Sequence, residues 1–417
     1  MKRVFVFFMI LCCMTTILFA AGQRSQSGTT LSLLFYSPEL QSQYNDMAAA
    51  YRAESGVTLD ITVLQTDYRS VLTSRINSGD IPDIFMSSAY ADNNTYRDYV
   101  YDLSNEDFIK NISPGPLSGV TVNGRITGYP FLVQSHAFIY NKAVFRNLGI
   151  TNLPRTLTEL EATAQRIEAT GIQPFATGFS EFWVLPQTAW KAIAPIVEQK
   201  YGGYANFVSR LNAGTLRFSE IPEMDNIFNL LDLIKKYGGS KPNESDFNDQ
   251  TSMLATGRAA IIHQGNWAED SIRQINPNAE IGFLVGPVGN DAAAAGIMFD
   301  SNQTIRVNKN SRNLQAALAW LRWLTNSTYG KNWIPGMVKQ LSPIVGAPAP
   351  QSQIAEETVA MISRGTPAYP WFYQMFPTGT EQELGAILQG YCAGITDRRA
   401  TLAAMDAAYT RIARAAQ

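Results

Sequence analysis

Histidine and cysteine are nearly absent from this chain of 417 residues, which holds two of the first and three of the second. Two imidazoles, His136 and His263, are too few for a His-rich metal centre. Cys12 and Cys13 fall inside an N-terminal apolar run, so Cys392 is the one thiol expected in the mature chain. A lone cysteine in QGYCAG reads as a small buried hydrophobe, and no internal disulfide is expected. There is no GxSxG and no Walker-type Gly-Lys loop. Scattered acids, as in SGDIPD and FND, read as solvated or capping groups. A glycosidase pair is a spatial arrangement that spacing does not reveal, and no such pair is nominated. No catalysis, metal or cofactor is expected.

An excess of either charge is also lacking. Removing Lys2 and Arg3 from 33 basic residues leaves 31 against 35 acidic ones, which excludes nucleic acid and anionic membrane as expected partners. Only one stretch is long and apolar, Val4 to Phe19. With Lys2 and Arg3 before it and Ala20 and Ala21 after it, residues 1–21 read as a secretory signal peptide. Leu11 precedes Cys12 in mid-run, so no lipid anchor is expected. Residues 22–30 read as a flexible leader.

What is present is alternating α and β patterning over about 400 residues, enough for two domains. LSLLFY, VTLDITVL and PDIFMSS read as strands. Between them lie a helix with Leu40, Tyr44, Met47 and Tyr51 in register, capped by Ser37 and ended by Gly56, and a second on Tyr68, Val71, Leu72 and Ile76. That β-α-β-α-β order argues a doubly wound sheet whose crevice lies beyond the strands' carboxyl ends. Further strands are expected at 137–140, 259–263 and in IGFLVGP. Further helices are expected after the capping box Thr156-x-x-Glu159, near 185–200 and 225–237, and at 314–325 and 396–414.

Taken in order, several segments resemble the family 1 extracellular solute-binding proteins of bacterial ABC importers, the group that includes maltose-binding protein. They are INSGDIPDIF, NGRITGYPFLVQSHAFIYNKAVFRNLGI, LPRTLTEL, MLATGRAAIIHQGNW, LQAALAWLRWLTNSTYG and the C-terminal GYCAGITDRRATLAAMDAAYTRI. The resemblance implies an α/β fold of two hinge-linked lobes, each a mixed sheet flanked by helices. One holds 31–133 and 300–335, the other 134–299 and 336–417. It further implies a periplasmic monomer that captures a sugar or oligosaccharide and delivers it to the permease subunits of an ABC transporter. A partner of a chemosensory receptor and a secreted carbohydrate-active enzyme are the alternatives.

A sugar offers apolar C–H faces and a rim of hydroxyls, so it is held by flat rings and forked polar groups buried together. Such groups fall at expected loop tips. Tyr36 and Ser37 follow the first strand, and Ser87 and Ser88 the third. Gln134 and Ser135 lie at the first expected crossover, Asp300 at the second. Trp183 precedes a helix. Asn266 and Trp267 follow the Gly265 turn, and Trp371 sits on a Pro-bounded turn. In the apolar helix, Trp320 and Trp323 read as core instead. Met86 stands where the family can place a stacking aromatic, and Gln134 where the maltose binder has an acid.

Overall fold

Leu31, Leu33, Leu34 and Phe35 are buried, and the run that carries them forms strand β1 (Thr30–Phe35) in a computed structural model of the chain. The structure describes residues 28–416 except 65, 66 and 288, so the expected signal peptide and the leader up to residue 27 lie outside the described residues. Helix α1 (Gln41–Ser55) buries Tyr44, Met47 and Tyr51, and Gly56 ends it at a φ of 74°, a left-handed conformation that costs glycine little. Strand β2 (Thr58–Val63) runs parallel to β1, with Leu33 opposite Ile61, and helix α2 (Tyr68–Ser78) follows.

The expectation that Ser37 caps α1 is not met. Pro38 opens a short 3-10 turn, Pro38–Leu40, so the α-helix starts beyond the reach of the Ser37 hydroxyl. Ser37 itself turns left-handed at a φ of 71° and makes no capping bond.

These elements, up to Ile84, form one compact unit together with Ser311–Trp320. Asp83, from the GDIPD motif, ties it together. Its carboxylate accepts from the backbone N–H of Ser32 at 2.8 Å, from the Ser32 hydroxyl at 3.0 Å and from the Ser311 hydroxyl. The N–H of Asp83 donates back to Ser32 Oγ at 3.0 Å. Trp320 is fully buried in this unit beside Phe35, at 6.4 Å between ring centroids.

The second unit spans Phe85–Asn310 and Leu321–Gln417. In chain order it contains β3 (Ile84–Ser88), which starts one residue earlier, and α3 (Ala91–Tyr96), then β4 (Tyr129–Asn141), α4 (Leu157–Glu168) and β5 (Gln173–Ala176). Next come α5 (Val184–Lys191), β6 (Ala259–Gly265), α6 (Ala268–Ile275), β7 (Ile281–Leu284) and β8 (Ile297–Val307). After α7 (Leu314–Asn326) follow α8 (Gln353–Ser363), β9 (Ala368–Tyr369), α9 (Thr380–Cys392) and α10 (Arg398–Ala415). The strand order is β3-β8-β4-β6-β5, with β7 paired to β4 and β9 to β8. The mixed α/β class expected from sequence is the one found.

Strand β4 is far longer than the expected 137–140. It is buried along almost its whole length, so its residues do not alternate in polarity and the period-2 signal is faint. It lies antiparallel to both β8 and β6. One face of these strands packs Phe138, Phe175, Trp190 and Phe372; the other packs Ala137, Ile139, Ile262 and Ile354. The capping box at Thr156 and Glu159 is present. The expected helix at 185–200 is two helices, α5 and Ala194–Lys200. Pro195 suits the first turn of the second but would break a continuous helix.

Replacing Asp83 with Ala should lower the unfolding free energy by about 2–4 kcal/mol, because the hydrogen bonds from Ser32, Ser311 and Asn313 to one partly buried carboxylate go together. Urea titration measures this. A loss under about 0.5 kcal/mol would mean that the carboxylate does not tie the strand down.

Candidate functional site

Gln134 on β4 and Asp300 on β8 are direct partners across the antiparallel pair, followed by Ser135 with Phe299 and His136 with Met298. Because side chains alternate along a strand, Gln134 and His136 share a face with Asp300 and Met298, while Ser135 points to the other. The Ser135 hydroxyl bonds to Thr358 Oγ1 at 2.8 Å, on that other side. The register on β8 shifts just after Asp300, an irregularity that interrupts the pairing at the expected crossover before it resumes at Gln303 and Leu132.

On its far side β4 meets β6, with His136 opposite Gly265. Asn266 then prolongs the ladder with its side chain. Its N–H donates to the Ser135 carbonyl at 3.0 Å, and its Oδ1 accepts from the Ser135 N–H at 2.9 Å. That use of Oδ1 fixes the amide orientation and leaves Nδ2 buried with no partner.

Trp267 is not on a free loop tip, as the Gly-Asn turn suggests, but is the residue before α6, with its ring half-buried and folded back over the strand end. Gly265 makes that possible: a Cβ there would lie 2.0 Å from Cζ3 of the Trp267 ring. The indole N–H donates to Gln264 Oε1 at 3.0 Å. Gln264 Nε2 donates to Gln250 at 2.8 Å, and Gln250 in turn to the carbonyls of Ala176 and Thr177. The ring stacks on His136 at 5.7 Å with planes 8° apart, and Trp371 lies 6.2 Å from Trp267 and 5.7 Å from His136. Trp371 is fully buried, and its indole N–H has no partner.

The other expected residues sit elsewhere. Trp183, just before α5, packs on Phe247 at 5.8 Å. Ser87 donates to the Ser88 carbonyl at 2.9 Å and accepts from Arg306 Nε at 2.8 Å. The fully buried Arg306 also donates to the Ser88 carbonyl, Asn93 and Thr127, each at 2.8 Å, so the end of β3 is fixed by a fan of bonds from one guanidinium. Tyr36 and Ser37 belong to the first unit, where Tyr36 packs edge-on against Tyr68 at 5.1 Å.

Sequence reasoning missed several residues. Tyr90 adopts a φ of 56°, strained for a residue with a Cβ, and its hydroxyl donates to the Asp300 carboxylate. Burial pushes the Asp300 carboxyl up, and burial followed by the Asp300 charge pushes the Tyr90 phenol up. Asp92 accepts from the Ser88 N–H at 2.9 Å and from Thr378 at 3.1 Å, and Thr378 also bonds Thr95 at 2.7 Å. His263 lies 4.3 Å from His136 and shares a hydrogen with Thr188 at 2.7 Å. Lys191 on α5 is 1% exposed, and its Nζ has no partner. Its one legible signal is a single charge in the otherwise apolar run WKAIAPIV. This is a patch of rings edged by buried amides.

The model of the family described as bacterial extracellular solute-binding protein matches residues 37–331. The chain belongs to that family. It is 22% identical over 275 residues to the Multiple sugar-binding protein of Streptococcus mutans, covering 63% of this chain and 62% of that protein's length. It is 20% identical over 419 residues to the Melibiose/raffinose/stachyose-binding protein MelE of Bacillus subtilis, covering 95% and 93%. Among solved structures, RafE in complex with raffinose superposes with a TM-score of 0.79 at 19% identity, over 92% of this chain and all of that one. The mixed α/β fold is therefore that of the solute-binding family. Among the described residues no helix is long and apolar enough to cross a membrane.

Burial holds the His136 and His263 imidazoles well below their usual range, and the nearby Lys191 lowers both further. The unfolded chain takes up these protons below about pH 6.5 while the fold resists them, so stability falls as pH drops through that value. Each group adds up to about 1.4 kcal/mol per pH unit. Urea titrations from pH 7.5 to 5.5 should show a shallower pH slope in His263→Gln than in the parent chain. Parallel slopes would mean that His263 is protonated in the folded state.

Proposed function

We propose that the solute is a sugar or oligosaccharide, taken up in the periplasm and delivered to the permease subunits of an ABC importer. The observation that carries this reading is the ring group Trp267, His136 and Trp371, set beside the unpartnered amide of Asn266 and the Gln134–Asp300 pair. Flat rings suit the C–H faces of a pyranose, and the amides and carboxylate suit its hydroxyls. The two relatives from Streptococcus mutans and Bacillus subtilis, both sugar-binding proteins, support the same class. Trp183 extends the apolar surface for a longer oligosaccharide. The end of β3 at Ser87 and Ser88 and the middle of β4 at Ser135 position the cleft walls through their own hydrogen bonds.

In this reading the two lobes expected from sequence hinge where β4 and β8 pass Gln134 and Asp300. Thr378, which bonds Asp92 and Thr95, then joins a segment of one lobe to a helix of the other. Closing over the solute buries its hydroxyls, and the closed form is what a permease recognises. The protein acts as a monomer without catalysis.

Two experiments test this. Trp267→Ala should weaken sugar affinity ten- to a hundredfold: about 60–80 Å² of ring face at ~25 cal/mol/Å², with stacking geometry, amounts to about 2–3 kcal/mol. Trp320→Ala, a control from the buried helix, should lose about 3–5 kcal/mol of stability with affinity nearly intact. Calorimetric titration and thermal unfolding separate the two, and normal binding by Trp267→Ala would remove the stacking role. Small-angle scattering should show a smaller radius of gyration with saturating sugar, and an unchanged radius would count against a hinge.

A further inference from the structure

The floor of the ring group contains a group that neither folding nor neutral-sugar capture explains. Lys191 is buried on α5, and its Nζ meets no acceptor. Room for it has been made at Gly286, where a Cβ would lie 1.5 Å from Nζ. Gly286 lies where the sheet forks: β7 leaves β4 after the Leu284–Phe138 pair, β8 joins it at Met298–His136, and Gly286 bridges to Gly296 between them. The fork therefore lies beside His136, two residues along β4 from Gln134.

Other polar atoms beside the middle of β4 are also unmatched. His136 Nδ1, Trp371 Nε1 and Asn266 Nδ2 are buried without partners. The nearby carboxylate, Asp300, is engaged by Tyr90 and by the Ser301 N–H at 2.7 Å. Burying an amine with no acceptor is unfavourable, and a methionine of similar length would fill the same space without that penalty. A local rule broken this way, beside a binding surface, points to a ligand that completes it.

We infer that the sugar captured here is an acidic one, whose carboxylate is received by Lys191. The inference rests on the sugar reading above and narrows it to hexuronate-bearing saccharides. Burial lowers the Lys191 amine to about 7 in the unliganded protein and keeps both imidazoles neutral, so a single carboxylate that holds the amine protonated completes the charge balance. A phosphate monoester with more charge would call for more cations than the fork supplies. The half-buried ring of Trp267, backed by His136 and Trp371, then holds the sugar face while Asn266 Nδ2 donates to a hydroxyl.

The test is calorimetric titration of the full mature chain with oligosaccharides in matched pairs, one member bearing a terminal glucuronate or galacturonate and the other the neutral hexose. The expected result is a preference of about ten- to a hundredfold for the acidic member, the range of one charge-assisted hydrogen bond set. Lys191→Met should erase the preference while raising the melting temperature of the unliganded protein. Gly286→Ala, which pushes a methyl into the space of Nζ, should reduce the preference without removing the amine. A neutral sugar that binds as tightly as its acidic partner, with an affinity that Lys191→Met leaves unchanged, overturns the inference and leaves sugar capture standing. A preference that chloride alone abolishes at constant ionic strength would assign the fork to an inorganic anion and overturn it as well. Binding of no saccharide at all overturns both readings.

Discussion

The larger unit depends on one constraint, the burial of β4 on both faces. A strand of 13 residues with nearly every side chain covered must satisfy its backbone through neighbours on both edges, and it does so with β8 and β7 along one edge and β6 along the other. Those pairings bring His136, Gly265 and Met298 to one level and set Gln134 against Asp300. The candidate site is what this strand presents where regular pairing is interrupted.

Its precision comes from the groups behind it. The Trp267 ring can lie flat on His136 only because Gly265 has no side chain, and a relay of two amides, Gln264 and Gln250, fixes the indole N–H. Arg306 does the same for the end of β3, joining Ser87, Ser88, Asn93 and Thr127 through one planar cation. A binding surface built on strand ends and locked by buried polar networks keeps its geometry whether or not a solute is present. The groups left unmatched inside it are therefore informative, since a closed network would have no use for them.

Much of this was legible before any coordinates. The strands and helices up to Ile84, the capping box at Thr156 and the apolar helix at 314–326 follow from periodicity and end signals. The residues proposed from loop-tip position include Asn266, Trp267, Gln134, Asp300 and Trp371, which the fold gathers around the middle of β4. Loop-tip logic was less useful for Ser87 and Ser135, whose hydroxyls bond internally, and for Ser37, which Pro38 separates from the helix it was to cap. Hydroxyl-bearing residues are common at such places for local reasons, so their presence alone says little.

The sequence by itself determined the local order, because hydrophobic period, caps and turn residues act over a few positions and are written into neighbouring letters. It also carried the family's motifs, such as GDIPD, whose Asp83 proves to be a multi-bond anchor. Only the tertiary structure decided which polar groups are satisfied. His136, His263 and Lys191 come from three separate segments, and whether each meets an acceptor depends on what folds over it. Their burial, their missing partners and the space at Gly286 are properties of packing between distant residues, which no pattern along the chain encodes.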